Sequence, residues 1–466
     1  MPDLFLGTDP HTKKIERLPL ERHALTIAGA RMGKGACQII PTLKEWPSSA
    51  IIVDPKTEAV IETIEERSRM GQQVAILDPM GLVPKEFETY QRVFDPLSMI
   101  RPGGAGFRDL LMIADGVVLT TGQEHDPHWN ESALSTIAGL SALLLEAKSD
   151  EQPHLGHLPQ LVRRLRDSSS REDILKSLAA CRRYGRLAAD LSALFSVETN
   201  ETSSILSATS RHLRFLGDED VVRVLRPPTD PRKSLDLSGL RTGKLTLYVV
   251  IDPGSMVLHG RFLRLFVRMA LSVMMDTTFS EGSSKNAPCL FVLDEFFSLG
   301  KIAEIQKAAG LMPGYGVHLW PILQDWGQLV DLYGPHGAQT FLANADAVSV
   351  FGVSDHATLQ EVSNWFGEAS VAEIEHQALA LAQKIESSEA WRKFGALSTG
   401  QGDYIQNQHL AMLGALLQAG IGRPRKSAAE IQYHIGKGEN DRVARNMFVF
   451  LRTGRILDLK PTPHFE

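Results

Sequence analysis

The stretch 24-ALTIAGARMGKGACQIIPTL-43 decides the fold. A short apolar run, Leu25-Thr26-Ile27-Ala28, enters the turn Gly29-Ala30-Arg31-Met32-Gly33-Lys34-Gly35 and leaves through Ala36 into a helix-compatible segment. Strand, glycine-rich loop and helix in that order let successive backbone N–H groups point at a phosphate chain. A lysine then reaches the outer oxygens, and the helix N-terminus adds partial positive charge. The strict pattern GxxxxGK[ST] is broken twice. Ala28 stands where the first glycine is expected, one residue ahead of Gly29, and Gly35 replaces the hydroxyl that normally ligates Mg. Nucleotide binding is one reading of this loop. A tight strand-to-helix turn carrying a surface lysine is the other.

Outward from this loop, apolar β-branched runs recur at 50–55 (AIIVDP), 73–79 (QVAILDP) and, weakly, 92–97 (RVFDPL), with helical periodicity between, as at 57–70. From about 106 to 234 the chain is helical and polar, and strands return at 244–253, 288–296, 315–324 and 346–352. Near-continuous apolar strands alternating with helices predict an α/β fold with a mainly parallel central sheet covered on both faces. The expected division is a nucleotide-binding domain begun at 1–105, an all-α domain at 106–234, and the remainder of the first domain at 235–466. That last part carries a helical segment near 368–432 and a C-terminal β-hairpin around Gly454-Arg455.

Composition narrows the function classes. The chain has 466 residues, 43% hydrophobic and 22% charged, with a net charge of -6, so it is no basic coat for nucleic acid and any such contact needs a local patch or pore. Cys37, Cys181 and Cys289 form no CxxC pair, which fits a reducing cytoplasm. No apolar run approaches the roughly 18–20 residues needed to span a bilayer, so no direct transmembrane insertion is expected.

A second motif changes the weight of the first. In 288-PCLFVLDEFFSLGKI-302 an apolar strand ends in Asp294-Glu295. A carboxylate at the end of a buried strand can hold Mg through water, and the next can orient an attacking water. An isolated Asp-Glu pair is more often a solvated strand end; joined to a lysine loop in an α/β sequence it points to an NTPase. Gln324 closes the next strand, where it can sense a γ-phosphate. Asp54 reads as a strand-end turn former rather than a second acidic group near the metal, with structural or gating value for Lys56 and Glu58.

Five segments together resemble the type IV secretion coupling proteins, the TraG/TraD-type conjugative DNA-pump ATPases. They are GARMGKGACQIIPTL, AIIVDPKTE, FVLDEFFSLGKI, ILQDWGQLVDLYG and NADAVSVFGVSDHATLQEVSNWFG, in the family's order, with HWNESALSTIAGLSALLL at 128–145 a looser match. The resemblance covers most of 1–367 and the terminal hairpin, and is weak across 146–234 and 370–430. It implies a RecA-like P-loop domain with a membrane-distal all-α domain, assembled as a homo-hexamer around a channel, or monomeric without ligand. It also implies ATP and Mg as cofactors, with nucleotide held between subunits. The cargo would be single-stranded DNA with its relaxase, or effector proteins, delivered to inner-membrane components of the secretion apparatus.

On this resemblance Lys34 binds the β/γ-phosphates, and the loop Gly29, Ala30, Arg31, Met32, Gly33, Gly35 and Ala36 cradles them. Asp294 holds Mg, Glu295 polarises water and Gln324 acts as sensor. Two departures stand out. Members of the family commonly open with two transmembrane helices, and here the chain starts where their cytoplasmic part starts. That implies a truncated chain or a cytoplasmic member held at the inner membrane through partners. Some relatives also carry an arginine upstream of the sensor glutamine, but residues 310–316 read GLMPGYG. A trans-acting cation is worth about 10³–10⁵ in rate in GTPases, so its absence bears on fast hydrolysis. Lys301 and Lys307 are possible substitutes, more simply read as solvated helix residues.

Within the helical segment, Arg163/Arg166 and Arg183/Arg186 have a spacing that places each pair on one helix face, with Tyr184 beside the second. They could engage phosphates in a ring; the simpler reading pairs them with Asp167, Glu172 and Asp173 on solvated faces. The cluster Glu124, His125, Asp126, His128 lacks helical metal-ligand spacing and reads as a polar loop. Two alternatives to a secretion motor remain: a nucleotide-gated recruitment platform with little ATPase activity and, against the DEFxxLGKI string, another ring-forming motor such as a chromosome-partition translocase.

Overall fold

The computed structural model describes residues 2–118, 127–146, 152–276, 286–387, 424–438 and 443–464, with the single positions 411, 415 and 418. After a hairpin of β1 (Asp3–Thr8) and β2 (Ile15–Pro19), the chain forms seven strands that are parallel to one another. These are β3 (His23–Ala28), β4 (Ser49–Val53), β5 (Gln73–Leu77), β6 (Leu245–Val249), β7 (Cys289–Leu293), β8 (Val317–Leu323) and β9 (Ala345–Phe351). Antiparallel β10 (Met447–Leu451) and β11 (Ile456–Leu459) extend one edge, giving the order β11-β10-β9-β3-β8-β7-β4-β6-β5 among the described residues. The expected α/β class with a mainly parallel sheet and a terminal hairpin is what the chain adopts.

Burial on both faces explains the unbroken apolar character of these strands: every residue of β3, β4, β6, β7, β8 and β9 is buried. Side chains still alternate between two cores. Leu25, Ile27, Ile51, Val53, Phe291 and Leu293 enter the larger one, whereas Ala24, Ala28, Ala50, Ile52, Leu290 and Val292 enter the other. The second face is covered by α1 (Ile40–Glu45) and α2 (Glu58–Arg69) through Leu43, Val60 and Ile64. The larger core also takes in residues of α3 (Gly104–Val117), α4 (His128–Glu146), α5 (Leu158–Arg166), α6 (Ser168–Ala180), α7 (Gly185–Leu194), α8 (Asn200–His212) and α9 (Glu219–Leu225). With them are α10 (Met256–Met275), α11 (Ala303–Leu311), α12 (Trp326–Asn344) and α13 (His356–Phe366). Leu140 of α4, Leu178 of α6 and Ile205 of α8 belong to the same continuous cluster as Leu25 of β3.

Two local expectations change. The run 92–97 makes only isolated bridges, Ile76 with Gln91 and Val93 with Ser234. Asp95 accepts the Leu97 amide at 3.0 Å and Pro96 offers no N–H, so the chain turns into a short 3₁₀ segment instead of a strand. The β1–β2 hairpin, whose turn opens on Asp9-Pro10 with Asp9 Oδ1 accepting the His11 and Thr12 amides at 2.8 and 2.7 Å, is an element the sequence reading does not include. Toward the C-terminus α14 (Val371–Glu386) and α15 (Ala428–Ile435) are helical, while the expected helix over HLAMLGALLQAG lies, apart from three positions, outside the described residues. Among the described residues no helix is long and apolar enough to cross a membrane.

One buried cation ties α2 to the sheet. Arg67 is 0% exposed, and burial lowers its guanidinium to about 10. It donates to the carbonyls of Leu43, Trp46 and Ser48 and to Thr246 Oγ1. Arg67→Met leaves these carbonyls without a donor, so it should destabilise the fold by about 3 kcal/mol in urea unfolding. A loss within a few tenths of a kcal/mol would show that the network contributes nothing.

Candidate functional site

All ends of the parallel strands that carry acidic or amide groups lie at one edge of the sheet. Asp54 follows β4, Asp294-Glu295 follows β7 and Gln324 follows β8, beside the loop after β3. This carboxyl-end edge is where open parallel sheets bind ligands. Because β3, β8 and β7 are neighbours, residues 261 positions apart in sequence meet.

The loop is bent by two left-handed residues, Arg31 (φ 60°) and Gly33 (φ 87°). A Cβ on Gly29 would sit 2.1 Å from the Gly352 carbonyl oxygen, so the glycine is needed where the loop crosses the end of β9. Ala28 is still within β3, 0% exposed in the core, which accounts for the displaced first glycine. After Lys34 the chain makes a wide π turn over Gly35–Ile39 before α1. Pro41 follows within a turn; it lacks an N–H and its ring crowds the Cys37 carbonyl, a conflict the wide turn relieves. Cys37 N–H bonds back to Gly33 O at 2.8 Å and Ile40 N–H to Gly35 O, so it is the amides preceding Cys37, at the positive end of the turn, that are placed to face an anion.

Lys34, its side chain 8% exposed, lies between two carboxylates: Nζ is 2.7 Å from Asp294 Oδ1 and 3.0 Å from Glu295 Oε1. Glu295 adopts the left-handed conformation (φ 52°), and its amide donates to Asp294 Oδ1 at 3.0 Å. Gln324 Nε2 donates to Glu295 Oε2 at 3.0 Å. Burial pushes the Lys34 ammonium down, but the Asp294 and Glu295 charges outweigh it and hold the group above its ordinary range. Glu295, raised by burial, ends below the usual carboxylate range because Lys34 and the Gln324 amide favour its charged form.

The strings around the site fasten one another. Phe296 stacks on Tyr333 with centroids 6.1 Å apart, and the Tyr333 hydroxyl bonds both the N–H and the carbonyl of Ile302 at 3.3 Å. Trp326 N donates to Thr358 Oγ1 at 2.8 Å, and the Gln324 amide donates to Gln328 Oε1 at 3.0 Å. Thus the DEFxxLGKI turn, α12 and α13 form one support behind Glu295 and Gln324.

One contribution to the site is absent from the sequence reading, and a second, from Glu58, is more specific than the structural or gating value read there. The C-terminal segment braces the loop: Ala444 N donates to Met32 O at 3.4 Å, and His464 N donates to Ala36 O at 3.0 Å. No local pattern signals a contact over such a separation. Glu58, at the start of α2, brings Oε2 to 3.3 Å from where a Cβ on Gly35 would lie. Asp54 accepts the Val60 amide at 2.8 Å, the turn-forming role expected of it.

The remaining sequence candidates are dispersed. Arg163 lines a groove of about 650 Å³ with Arg214 and Arg226, while Arg166 donates to Ser210 Oγ at 3.3 Å. Arg183 lies over the Tyr184 ring at 5.5 Å, and Arg186 is exposed. Their expected carboxylate partners are engaged elsewhere: Asp167 caps α6 and Glu172 pairs with Lys176. Of the histidine-rich loop, Glu124, His125 and Asp126 lie outside the described residues, and His128 Nε2 is 3.0 Å from Glu201. Neither Lys301 nor Lys307 has a described contact with the Lys34 cluster. Among the described residues no three His, Cys, Asp or Glu side chains converge into a metal cage. A nucleotide-borne Mg needs none, because it takes one or two carboxylates besides phosphate oxygens and waters. Asp294, an oxygen donor already compensated by a cation, fits that demand.

A family model described as type IV secretory system conjugative DNA transfer matches residues 6–389. The chain belongs to this family. It is 25% identical over 367 residues to the conjugal transfer protein TraG of Escherichia coli, covering 75% of this chain and 55% of that protein. To the protein VirD4 of Rhizobium radiobacter it is 24% identical over 355 residues, covering 74% and 48%. The coupling-protein chain therefore spans about half the length of these curated relatives. In structure it is similar to the plasmid coupling protein TrwB in complex with the non-hydrolysable ATP analogue ADPNP, with a TM-score of 0.60 and 15% identity over 95% of this chain and 86% of that one. TrwB in complex with ADP and Mg2+ aligns at 0.55 and 17%, covering 78% and 83%. At these identities the likeness is one of fold, and the fold is the RecA-like α/β one.

Burial pushes the Asp54 carboxyl up to about 7, against the Val60 N–H bond and with help from the Asp294 charge. Its pKa is thus raised on folding, so its stabilising contribution is complete below the unfolded value and is lost as pH rises through about 7. Asp54→Asn, which keeps the acceptor, should gain roughly 1–3 kcal/mol relative to wild type between about pH 5 and pH 8 in urea midpoints. A difference independent of pH would overturn this account.

Proposed function

We propose that this coupling-family chain is an ATP hydrolase that recruits and translocates single-stranded DNA–relaxase complexes or effector proteins toward a type IV secretion channel. The observation that carries the reading is the burial of Lys34 against Asp294 and Glu295 at the carboxyl edge of the sheet. The complexes that TrwB forms with ADPNP and with ADP and Mg2+ support ATP and Mg as its cofactors.

In this reading Lys34 leaves the carboxylates for the β/γ-phosphates, and the amides of Gly33, Lys34, Gly35 and Ala36 face the phosphate oxygens. Asp294 holds Mg, which neutralises charge on the transferring phosphoryl group. Glu295, kept ionised and oriented by Gln324, takes a proton from the attacking water. Gln324 reports the γ-phosphate by exchanging its bond to Glu295. The proposed organisation keeps 1–105 and 235–466 as one nucleotide-binding domain around an all-α domain at 106–234. The chain works as a homo-hexamer with nucleotide between subunits, on the cytoplasmic side and held at the inner membrane through secretion partners. Arg163, Arg166, Arg183 and Arg186 are exposed and available to cargo phosphates.

A second reading, a nucleotide-gated recruitment platform with little turnover, is favoured by Gly35 and by the absence of arginine from 310–316. ATP turnover with and without single-stranded DNA separates the two. For a motor, Lys34→Ala abolishes turnover, Glu295→Gln lowers it by at least about 10²-fold while retaining nucleotide, and DNA stimulates the wild type. Equal rates for the three proteins defeat the motor; nucleotide binding with negligible wild-type turnover establishes the platform.

A further inference from the structure

Gly35 removes a protein oxygen that a P-loop normally directs at Mg. The space it leaves is not empty. Built onto Gly35, a Cβ would have a single non-neighbouring heavy atom within 4 Å, Glu58 Oε2 at 3.3 Å. Glu58 is the first residue of α2, and its approach is set by the turn before it. Asp54 accepts the Val60 amide at 2.8 Å, and Thr57 takes a left-handed conformation (φ 61°), which together direct the start of α2 at the loop. Glu58 is exposed, so its carboxylate is accessible to a ligand.

We propose that Glu58 supplies the oxygen that Gly35 cannot, its carboxylate ligating Mg on a nucleoside di- or triphosphate at the position of the missing hydroxyl. This rests on the nucleotide-site reading above and adds a residue to it. A carboxylate is a hard oxygen donor suited to Mg, but unlike a hydroxyl it carries charge. With the divalent cation present it attracts; without it, the same charge repels phosphates. The chain should therefore depend on Mg for nucleotide binding more steeply than a hydroxyl-bearing loop would.

The test is ADP affinity of the full chain, by calorimetry, in Mg and in EDTA. Glu58→Gln should reduce affinity in Mg by about 10-fold or more, while affinity in EDTA holds or rises, so the Mg-dependent gain shrinks. Glu58→Ala should behave alike, and adding Gly35→Ser should restore the gain, because the hydroxyl then occupies the space the carboxylate vacated. A Mg-dependent gain equal to that of wild type in Glu58→Gln overturns the assignment. So does an equal loss in Mg and in EDTA, the signature of a merely structural residue, or failure of Gly35→Ser to rescue. A wild-type chain that binds ADP in neither condition instead overturns the nucleotide site itself.

Discussion

An ammonium withdrawn from water is tolerated only where anions replace its hydration, and Lys34 has two, at 2.7 and 3.0 Å. Removing one partner from such a buried arrangement typically costs about 3–5 kcal/mol, because the other charge is left uncompensated. That condition constrains the whole architecture. The lysine arrives from the loop after β3 and the carboxylates from the end of β7, with β8 between them supplying Gln324. A different strand order would separate the charges, and a one-residue slip of β7 would turn its ends toward the wrong face.

Holding Glu295 in a left-handed conformation requires support outside the charged groups. Phe296, Leu299 and Ile302 provide it by entering the core directly behind the turn, where Tyr333 locks Ile302 in place. Gln324 is fixed in turn by Gln328, and α12 is tied to α13 by Thr358. The polar site is therefore a consequence of apolar packing one layer beneath it. The segments that carry the family resemblance touch one another for this structural reason as well as for any chemical one.

Much of this was legible in the chain. Strands buried on both faces read as unbroken apolar runs, and a lysine loop followed far downstream by Asp-Glu names both halves of the site before their meeting is seen. What escaped has a physical explanation. Every second residue of β2 is exposed and it holds only Ile15 and Leu18 as large apolar residues, so its strand pattern is weak even though Asp9-Pro10 marks the turn before it. The brace on the loop from Ala444 and His464 is a backbone contact, and backbone contacts leave no residue signature. At 92–97 strand propensity was overruled by Pro96 and by the Asp95 cap. The dispersed arginines of the helical segment show the limit of charge counting: spacing placed them on helix faces but could not say which carboxylates their neighbours would choose.

Both departures from the strict loop pattern now have local causes. The first glycine is displaced by one because position 28 belongs to the strand and its core, whereas position 29 is where backbone passes over backbone. The missing hydroxyl at 35 coincides with a carboxylate from a different element filling the adjacent space. The edge thus sets Asp294 and Glu295 against one buried cation with Asp54 and Glu58 nearby, an excess of acidic groups eased by the upward push that burial gives the Asp54 carboxyl. If Lys34 moves toward a phosphate chain, Asp294 and Glu295 lose their countercharge in the same motion. Only a ligand that brings its own positive charge leaves them compensated, so the same pairing that stabilises this edge selects against an anion arriving alone.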